Sequence, residues 1–311
     1  MEPLCIGIDI GGTNLRFALV DEQGNIRHRS RTGSAVEEGR AAFCERLVAG
    51  IEELRSVARS SGATIAGIGA GVPGLIGRDG LIHASVNMRA LEGFNLAAFL
   101  AERTGVPTFC GNDANLIALG EKRYGAGKPF SSCMVITIGT GLGSGLILDG
   151  RLWTGSGGFA AEFGHVTVEP QGLLCPCGNR GCLEQYVSAG ALIRSARELL
   201  PRELLSGLAD ALDARQVADL ARQGEAGARA AFERAGRWLG IALASLIDTL
   251  NLEAVIIGGG VAASFDLLVP ALDAEVGRRC FPRIAAGCTI LKGELGDDAG
   301  LLGGAALAMA G

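Results

Sequence analysis

Short apolar runs closed by glycine alternate along the chain with longer stretches of helical spacing, the pattern of an α/β protein. Leu4 to Ile10 reads as a buried strand ending in Asp9-Ile10-Gly11-Gly12-Thr13. Leu15 to Val20 is a second strand with Arg16 interrupting it, and a turn at Asp21 to Asn25 leads into a third. Arg40 to Ser60 has helical period, with Phe43, Leu47, Ile51 and Leu54 on one face. Ile65 to Val72 is a further buried strand, stopped by Pro73-Gly74. Asn95 to Thr104 is a short helix, and Pro107 to Cys110 an extended stretch running into Gly111-Asn112-Asp113-Ala114-Asn115 and a helix through Leu119.

Met134 to Ile138 opens a second cycle of the same kind. Gly139-Thr140-Gly141-Leu142-Gly143-Ser144-Gly145 is the bend, Leu146 to Leu148 the return strand and Asp149-Gly150 the next turn. Helices follow at Ser188 to Leu200, Gln216 to Gln223 and Gly227 to Leu250, the last with Ala235, Leu239, Ala242 and Leu246 as a core-facing stripe. Ala254 to Ile257 is a buried strand that ends in Gly258-Gly259-Gly260-Val261, and an Ala- and Leu-rich helix runs from Gly300 to Met309.

A glycine bend between two strands exposes backbone N–H groups that can cradle phosphate; Thr13 adds a hydroxyl and Asp9 a carboxylate suited to Mg²⁺. Such a bend alone is more often only a turn. Repetition gives it weight, because Ile10-Gly11-Gly12-Thr13 and Ile138-Gly139-Thr140-Gly141 open two similar units. A duplicated α/β fold with a nucleotide held between its lobes is the expectation. Glycines after the strand at Ala254 would let a flat ring lie against backbone, although an ordinary loop explains them too. Asp113 stands at a strand-to-helix junction, where a carboxylate either caps the helix or, beside Asn112 and Asn115, belongs to a buried polar site.

Between Glu162 and Glu184 lies the densest chemistry. His165, Cys175, Cys177 and Cys182 offer one imidazole and three thiols, the ligand set of a closed tetrahedral Zn²⁺ site, with Gly178 and Gly181 bending the loop back. Four ligands close the coordination sphere, so the metal's expected task is structural: to hold His165 and the two flanking carboxylates for a polar ligand. Ionised carboxylates match the vicinal hydroxyls of a sugar.

The 311 residues suffice for about two domains. Apolar runs are broken by charge or glycine, none reaching the roughly 18 residues needed to span a bilayer. The start, Met-Glu-Pro-Leu, has no basic region, so no membrane association and a cytoplasmic location are expected. Six of the 9 cysteines lie outside the metal pattern in scattered positions and read as reduced thiols. A net charge of −5 disfavours nucleic acid as a partner.

The ordered motifs Asp9-Ile-Gly-Gly-Thr13, Asn112-Asp113-Ala-Asn115, Gly139-Thr-Gly-Leu-Gly143, Glu162-Phe-Gly-His165, the Cys175 to Glu184 loop and Ile257-Gly-Gly-Gly-Val261 resemble those of the ROK family of sugar kinases and repressors. Within that family the chain resembles the bacterial ATP-dependent glucokinases most. The resemblance implies the two-lobed, duplicated actin/hexokinase/Hsp70-like (ribonuclease H-like) fold, with sugar in the cleft. The expected division is a small N-terminal lobe over 1–117, onto which the helix 299–311 packs back, and a larger lobe over 118–298 carrying the zinc loop. It further implies ATP, Mg²⁺ and structural Zn²⁺ as cofactors, and a homodimer or dimer of dimers.

Residue by residue, the resemblance makes Asp113 the catalytic base and Gly71, Asn87, Asn112, Glu162, His165 and Glu184 the sugar ligands. ATP would meet Asp9, Gly11, Gly12, Thr13 and Asn14 in the first hairpin, Gly139, Thr140, Gly141 and Gly143 in the second, and Gly258, Gly259, Gly260 and Val261 beside the adenosine. Asp9 would reach Mg²⁺ through water. The chain departs from the family at Val86-Asn87-Met88, Ala161 and Pro176, which leaves the sugar open: glucose, or N-acetylmannosamine, mannose, fructose or allose. A sugar-responsive repressor or a non-catalytic sensor is the other class. Family repressors carry a DNA-binding domain ahead of the first hairpin, where this chain has eight residues before Asp9.

Overall fold

The computed structural model describes residues 2–85, 88–208 and 212–311. Its chain divides into two compact units, one of Met1–Ser131, Gly145–Ala161 and Glu294–Gly311, the other of Ser132–Ser144 and Glu162–Gly293. The point between 117 and 118 lies inside a continuous helix, Asp113–Tyr124.

In chain order the first unit begins with β1 (Pro3–Ile10), β2 (Asn14–Val20), β3 (Ile26–Gly33), α1 (Arg40–Ser60) and β4 (Thr64–Val72). A small ribbon of β5 (Leu75–Ile76) and β6 (Ile82–Ala84) precedes α2 (Leu96–Thr104), β7 (Thr108–Asn112) and α3 (Asp113–Tyr124). The main sheet has the order β3-β2-β1-β4-β7. The β1–β2 and β2–β3 pairs are antiparallel, whereas β4 lies parallel to both β1 and β7. The apolar stripe of α1 is fully used: Phe43, Leu47, Ile51 and Leu54 are buried with Ile6, Ile8, Leu15 and Phe17.

β8 (Cys133–Ile138), β9 (Leu142–Leu148) and β10 (Arg151–Trp153) follow. Then come α4 (Glu184–Val187), α5 (Ala189–Leu199), α6 (Arg202–Leu208), α7 (Ala214–Arg222), α8 (Ala226–Leu250) and β11 (Ala254–Gly258). The chain ends with α9 (Phe265–Arg279), α10 (Pro282–Ala285), β12 (Thr289–Lys292) and α11 (Ala299–Ala310). The second sheet has the order β10-β9-β8-β11-β12, with β11 parallel to β8 and β12. Numbered within its own sheet, each set of strands runs 3-2-1-4-5, so the duplication expected from the two glycine hairpins is a duplication of topology.

The sequence pattern leaves out the short elements β5, β6, β10, α6, α10 and β12, and two longer ones also differ from it. The return strand of the second hairpin starts at Leu142 rather than Leu146, because Gly143 and Gly145 break the apolar alternation without breaking the strand. At Gly145 a side chain would meet the Ala118 methyl 2.5 Å away, so the bare position lets β9 lie against α3. The helix α9 has no counterpart in the sequence reading. Pro270 interrupts its pattern, yet the helix runs through it and buries Leu268, Leu272 and Val276.

Helix α11 packs onto β1, β4 and α3 of the first unit at backbone contact distance. A Cβ on Gly303 would lie 1.7 Å from the Leu116 carbonyl oxygen, and one on Gly69 1.9 Å from that of Gly304. Gly303→Ala is therefore expected to force α11 off α3 at a cost of about 1–3 kcal/mol, the range for overpacked cores. Urea unfolding monitored by circular dichroism checks this, and an unchanged midpoint would show that the helix pair yields freely.

Candidate active site

The first unit places its candidate site residues at the carboxyl ends of β1 and β7. After Asp9, the chain turns through Gly11, Gly12 and Thr13, with the Gly11 N–H donating to the Asn14 carbonyl at 2.9 Å. The Ser34 hydroxyl holds the Gly12 carbonyl at 2.6 Å, and the Ser34 N–H holds that of Thr13 at 3.0 Å. Among the described residues the amides of Gly12 and Thr13 meet no acceptor, leaving two consecutive donors at the bend. Asn14 donates to the Thr13 hydroxyl at 2.8 Å. Asp9 itself accepts from Arg16, the charge that interrupts β2, and faces Gly300 in the first turn of α11.

Asp113 is the first residue of α3, and the cap is its neighbour. The Asn112 side-chain oxygen accepts the Asn115 N–H at 3.1 Å, while its amide donates to the Gly74 carbonyl at 3.1 Å. Capping thus falls to Asn112, which fixes the turn on which Asp113 stands. Gly71 lies beside it: a Cβ there would be 3.4 Å from the Asp113 Cα, so the bare strand position leaves room at the carboxylate. Asn87 lies outside the described residues.

In the second unit the bend after β8 repeats the first. The Gly139 N–H donates to the Gly141 carbonyl at 2.9 Å, and the amides of Thr140 and Gly141 meet no acceptor among the described residues. Glu184 supports this bend, its carboxylate accepting the Leu142 N–H at 2.8 Å. A Cβ on Gly141 would meet that same carboxylate at 2.5 Å. Glu184 therefore has one oxygen committed to the hairpin, a role the sequence pattern does not reveal.

His165, Cys175, Cys177 and Cys182 converge, with their donor atoms all within 4.8 Å of one another. Cys175 Sγ lies 3.8 Å from His165 Nδ1, and Cys177 Sγ 3.6 Å from Cys182 Sγ. A tetrahedron with metal–sulfur bonds of about 2.3 Å has edges of about 3.8 Å, so the spacing fits Zn²⁺. Burial pushes the Cys182 thiol up to about 12, whereas the Asn179 backbone N–H draws Cys177 down. With Nδ1 turned to the thiols, His165 Nε2 stands 4.0 Å from Glu162. Burial raises the Glu162 carboxyl above its usual range, against the opposing pull of His165 and with the aid of nearby Glu184. The two carboxylates flanking the cysteine loop are thus brought together with the imidazole.

The ROK family model matches residues 5–310. The chain belongs to the ROK family. Among curated relatives, it is 37% identical to the glucokinase of Thermotoga maritima over 97% of this chain and 96% of that one. It is 32% identical to the xylose repressor of Bacillus spizizenii over 96% of this chain but 75% of the repressor. Among solved structures, a ROK glucokinase of Streptomyces griseus in complex with glucose and AMPPNP matches with a TM-score of 0.83 at 33% identity, covering 99% of this chain and 100% of that one. The fold is accordingly that of the ROK sugar kinases, the actin and hexokinase type implied by the motifs.

Beside the glycine turn that the sequence singled out, this ROK chain has a wall its sequence did not reveal. Gly260, Val261, Ala263 and Ser264 form one wall of a cavity of about 390 Å³, and α7 supplies the facing wall with Arg215, Ala218, Asp219 and Arg222. Arg222 is held by Asp266 at 2.9 Å, which ties α7 to α9. Gly259, at φ 81°, packs against the Ile138 backbone, and its neighbour Gly260 opens into free space. The sequence marks this stretch only as helical, and the position of its charges beside the glycine turn is what distinguishes them. Among the described residues no helix is long and apolar enough to cross a membrane.

Proposed function

We propose that this protein transfers the γ-phosphoryl group of ATP to the 6-hydroxyl of glucose. The observation that carries the proposal is the end-to-end likeness to the Streptomyces griseus glucokinase that holds glucose and AMPPNP. Two further features support it. Each repeat ends its first strand in a bend with two consecutive amides that meet no acceptor among the described residues, the donors that polyphosphate oxygens need. The cavity beside Gly260 has room for an adenosine.

In this reading Asn112, Glu162, His165 and Glu184, with Gly71 and Asn87, hold the sugar hydroxyls. Asp113 accepts the proton of the attacking hydroxyl as its oxygen bonds to phosphorus. The amides of Gly12, Thr13, Thr140 and Gly141, the Thr13 hydroxyl and Asn14 orient the phosphates, with Gly11, Gly139 and Gly143 shaping the bends. Gly258 to Val261 lie along the adenosine. Asp9 would hold Mg²⁺, which would supply positive charge to offset that of the phosphate oxygens. Zn²⁺ held by His165, Cys175, Cys177 and Cys182 fixes the loop that carries the sugar ligands. The working form is a homodimer or dimer of dimers in the cytoplasm.

ADP release from Mg-ATP over glucose, mannose, fructose, allose, N-acetylmannosamine and N-acetylglucosamine tests this. A clear kcat/KM preference for glucose is the expected result, and a preference for another sugar would move the chain to a neighbouring kinase. The likeness to a xylose repressor over 96% of the chain favours sugar sensing as the second reading. No ADP release with any sugar, alongside saturable sugar binding, would make it the leading one.

A further inference from the structure

A cavity of about 670 Å³ lies in the second unit, apart from every residue assigned above to sugar, nucleotide or metal. Helices α4, α5 and α8 form its walls. Tyr186 and Trp238 supply a broad aromatic surface, their ring centroids 4.7 Å apart. Ser195 lines the cavity and is 8% exposed, and its hydroxyl has no hydrogen-bond partner among the described residues. A buried hydroxyl left unpaired is costly, and a ligand oxygen in the cavity would relieve it.

The charges around it are unequal in their commitments. Arg234 is paired with Glu198 at 2.7 Å. Arg237 lies 3.6 Å from Glu275, a carboxylate that Arg278 and Arg279 also neutralise. Among the described residues Arg194 has only a neutral acceptor, the Gln185 carbonyl. Glu233, on the exposed edge, has no ion-pair partner among the described residues. One guanidinium is thus available to an anion, while the rim carboxylate opposes a second negative charge.

We propose that this cavity is a regulatory site for a small organic monocarboxylate with an apolar body, its carboxylate on Arg194 and the Ser195 hydroxyl and its body against Trp238. The route to the rest of the unit is short. The Gln185 carbonyl accepts from Arg194, its side chain reaches Cys175 Sγ at 3.8 Å, and its neighbour Glu184 holds the Leu142 N–H at the second glycine bend. A ligand that draws on Arg194 therefore acts on α4, and through it on both the cysteine loop and the bend.

The chain has 2 tryptophans, so Trp153→Phe leaves Trp238 as the sole emitter. In that full-length, zinc-loaded background, cyclohexanecarboxylate is expected to change Trp238 emission saturably. Arg194→Gln should weaken binding roughly tenfold or more and Ser195→Ala about threefold, with both variants melting as the parent does. The neutral cyclohexanecarboxamide should bind at least roughly tenfold more weakly, and inorganic phosphate should give no saturable response. Equal affinity for acid and amide, or unchanged affinity in Arg194→Gln, would overturn the assignment. So would emission that depends on protein concentration and not on the carboxylate, the sign of a second copy covering this face. Emission reports binding without turnover, so failure here and failure of the kinase reading are separate results.

Discussion

Asp113→Asn is expected to fold like the parent and to lose at least about a hundredfold in kcat, the lower bound of what a positioned general base contributes. Asparagine is nearly isosteric and keeps an oxygen for the Ala114 N–H that Asp113 accepts at 2.9 Å, so the start of α3 should persist. Its amide cannot take the hydroxyl proton as the bond to phosphorus forms. The loss should therefore fall on kcat, with KM for glucose moving little. Steady-state ADP release together with a thermal melt decides the matter. Near-normal turnover from a folded variant would remove Asp113 from the role.

Cys177→Ser is the second large effect. One thiolate fewer would leave the proposed zinc site with three strong ligands, and even loss of a partner that merely supports a metal ligand costs roughly tenfold to a hundredfold in affinity or activity. The expected result is a fall in zinc content accompanied by a rise of roughly tenfold or more in KM for glucose. The coupling has a physical path. His165 presents Nδ1 to Cys175 and Nε2 to Glu162, and the Leu183 N–H, next to Cys182, is held by the Val166 carbonyl at 3.0 Å beside His165. Without the metal, Glu162 and Glu184 would lose the frame that sets their separation. Zinc measured by atomic absorption and glucose kinetics on the same sample check this. Metal loss with an unchanged KM would show that the loop holds its shape by hydrogen bonds alone.

The features legible in the sequence are those written in short stretches of chain. Helix α1 follows from the spacing of Phe43, Leu47, Ile51 and Leu54, and each of the four is completely buried. The cysteine loop follows from ligand identity and turn chemistry: Gly178 and Gly181 do adopt positive φ, at 93° and 70°, and the four donors do meet. Both glycine bends follow from apolar runs that stop at residues able to expose backbone. The repeat of those bends predicted a duplication, which the matching strand orders bear out.

What only the tertiary structure decided involves partners distant along the chain. Arg16 breaks an apolar strand for no local reason, and its purpose is Asp9 and the Asp297 carbonyl. Glu184 stands near the metal ligands in sequence but lends an oxygen to Leu142, forty-two positions earlier. Gly236 and Gly240 look like weak points in α8, yet side chains there would meet the Leu268 and Leu272 carbonyls of α9 at 2.4 and 2.6 Å. The charged face of α7 and the hydroxyl of Ser195 acquire meaning only from the cavities they line. Periodicity and turn chemistry are local, so a single stretch states them; the partner of a charge or the occupant of a gap is set by which segments packing brings together, and no one segment contains that information.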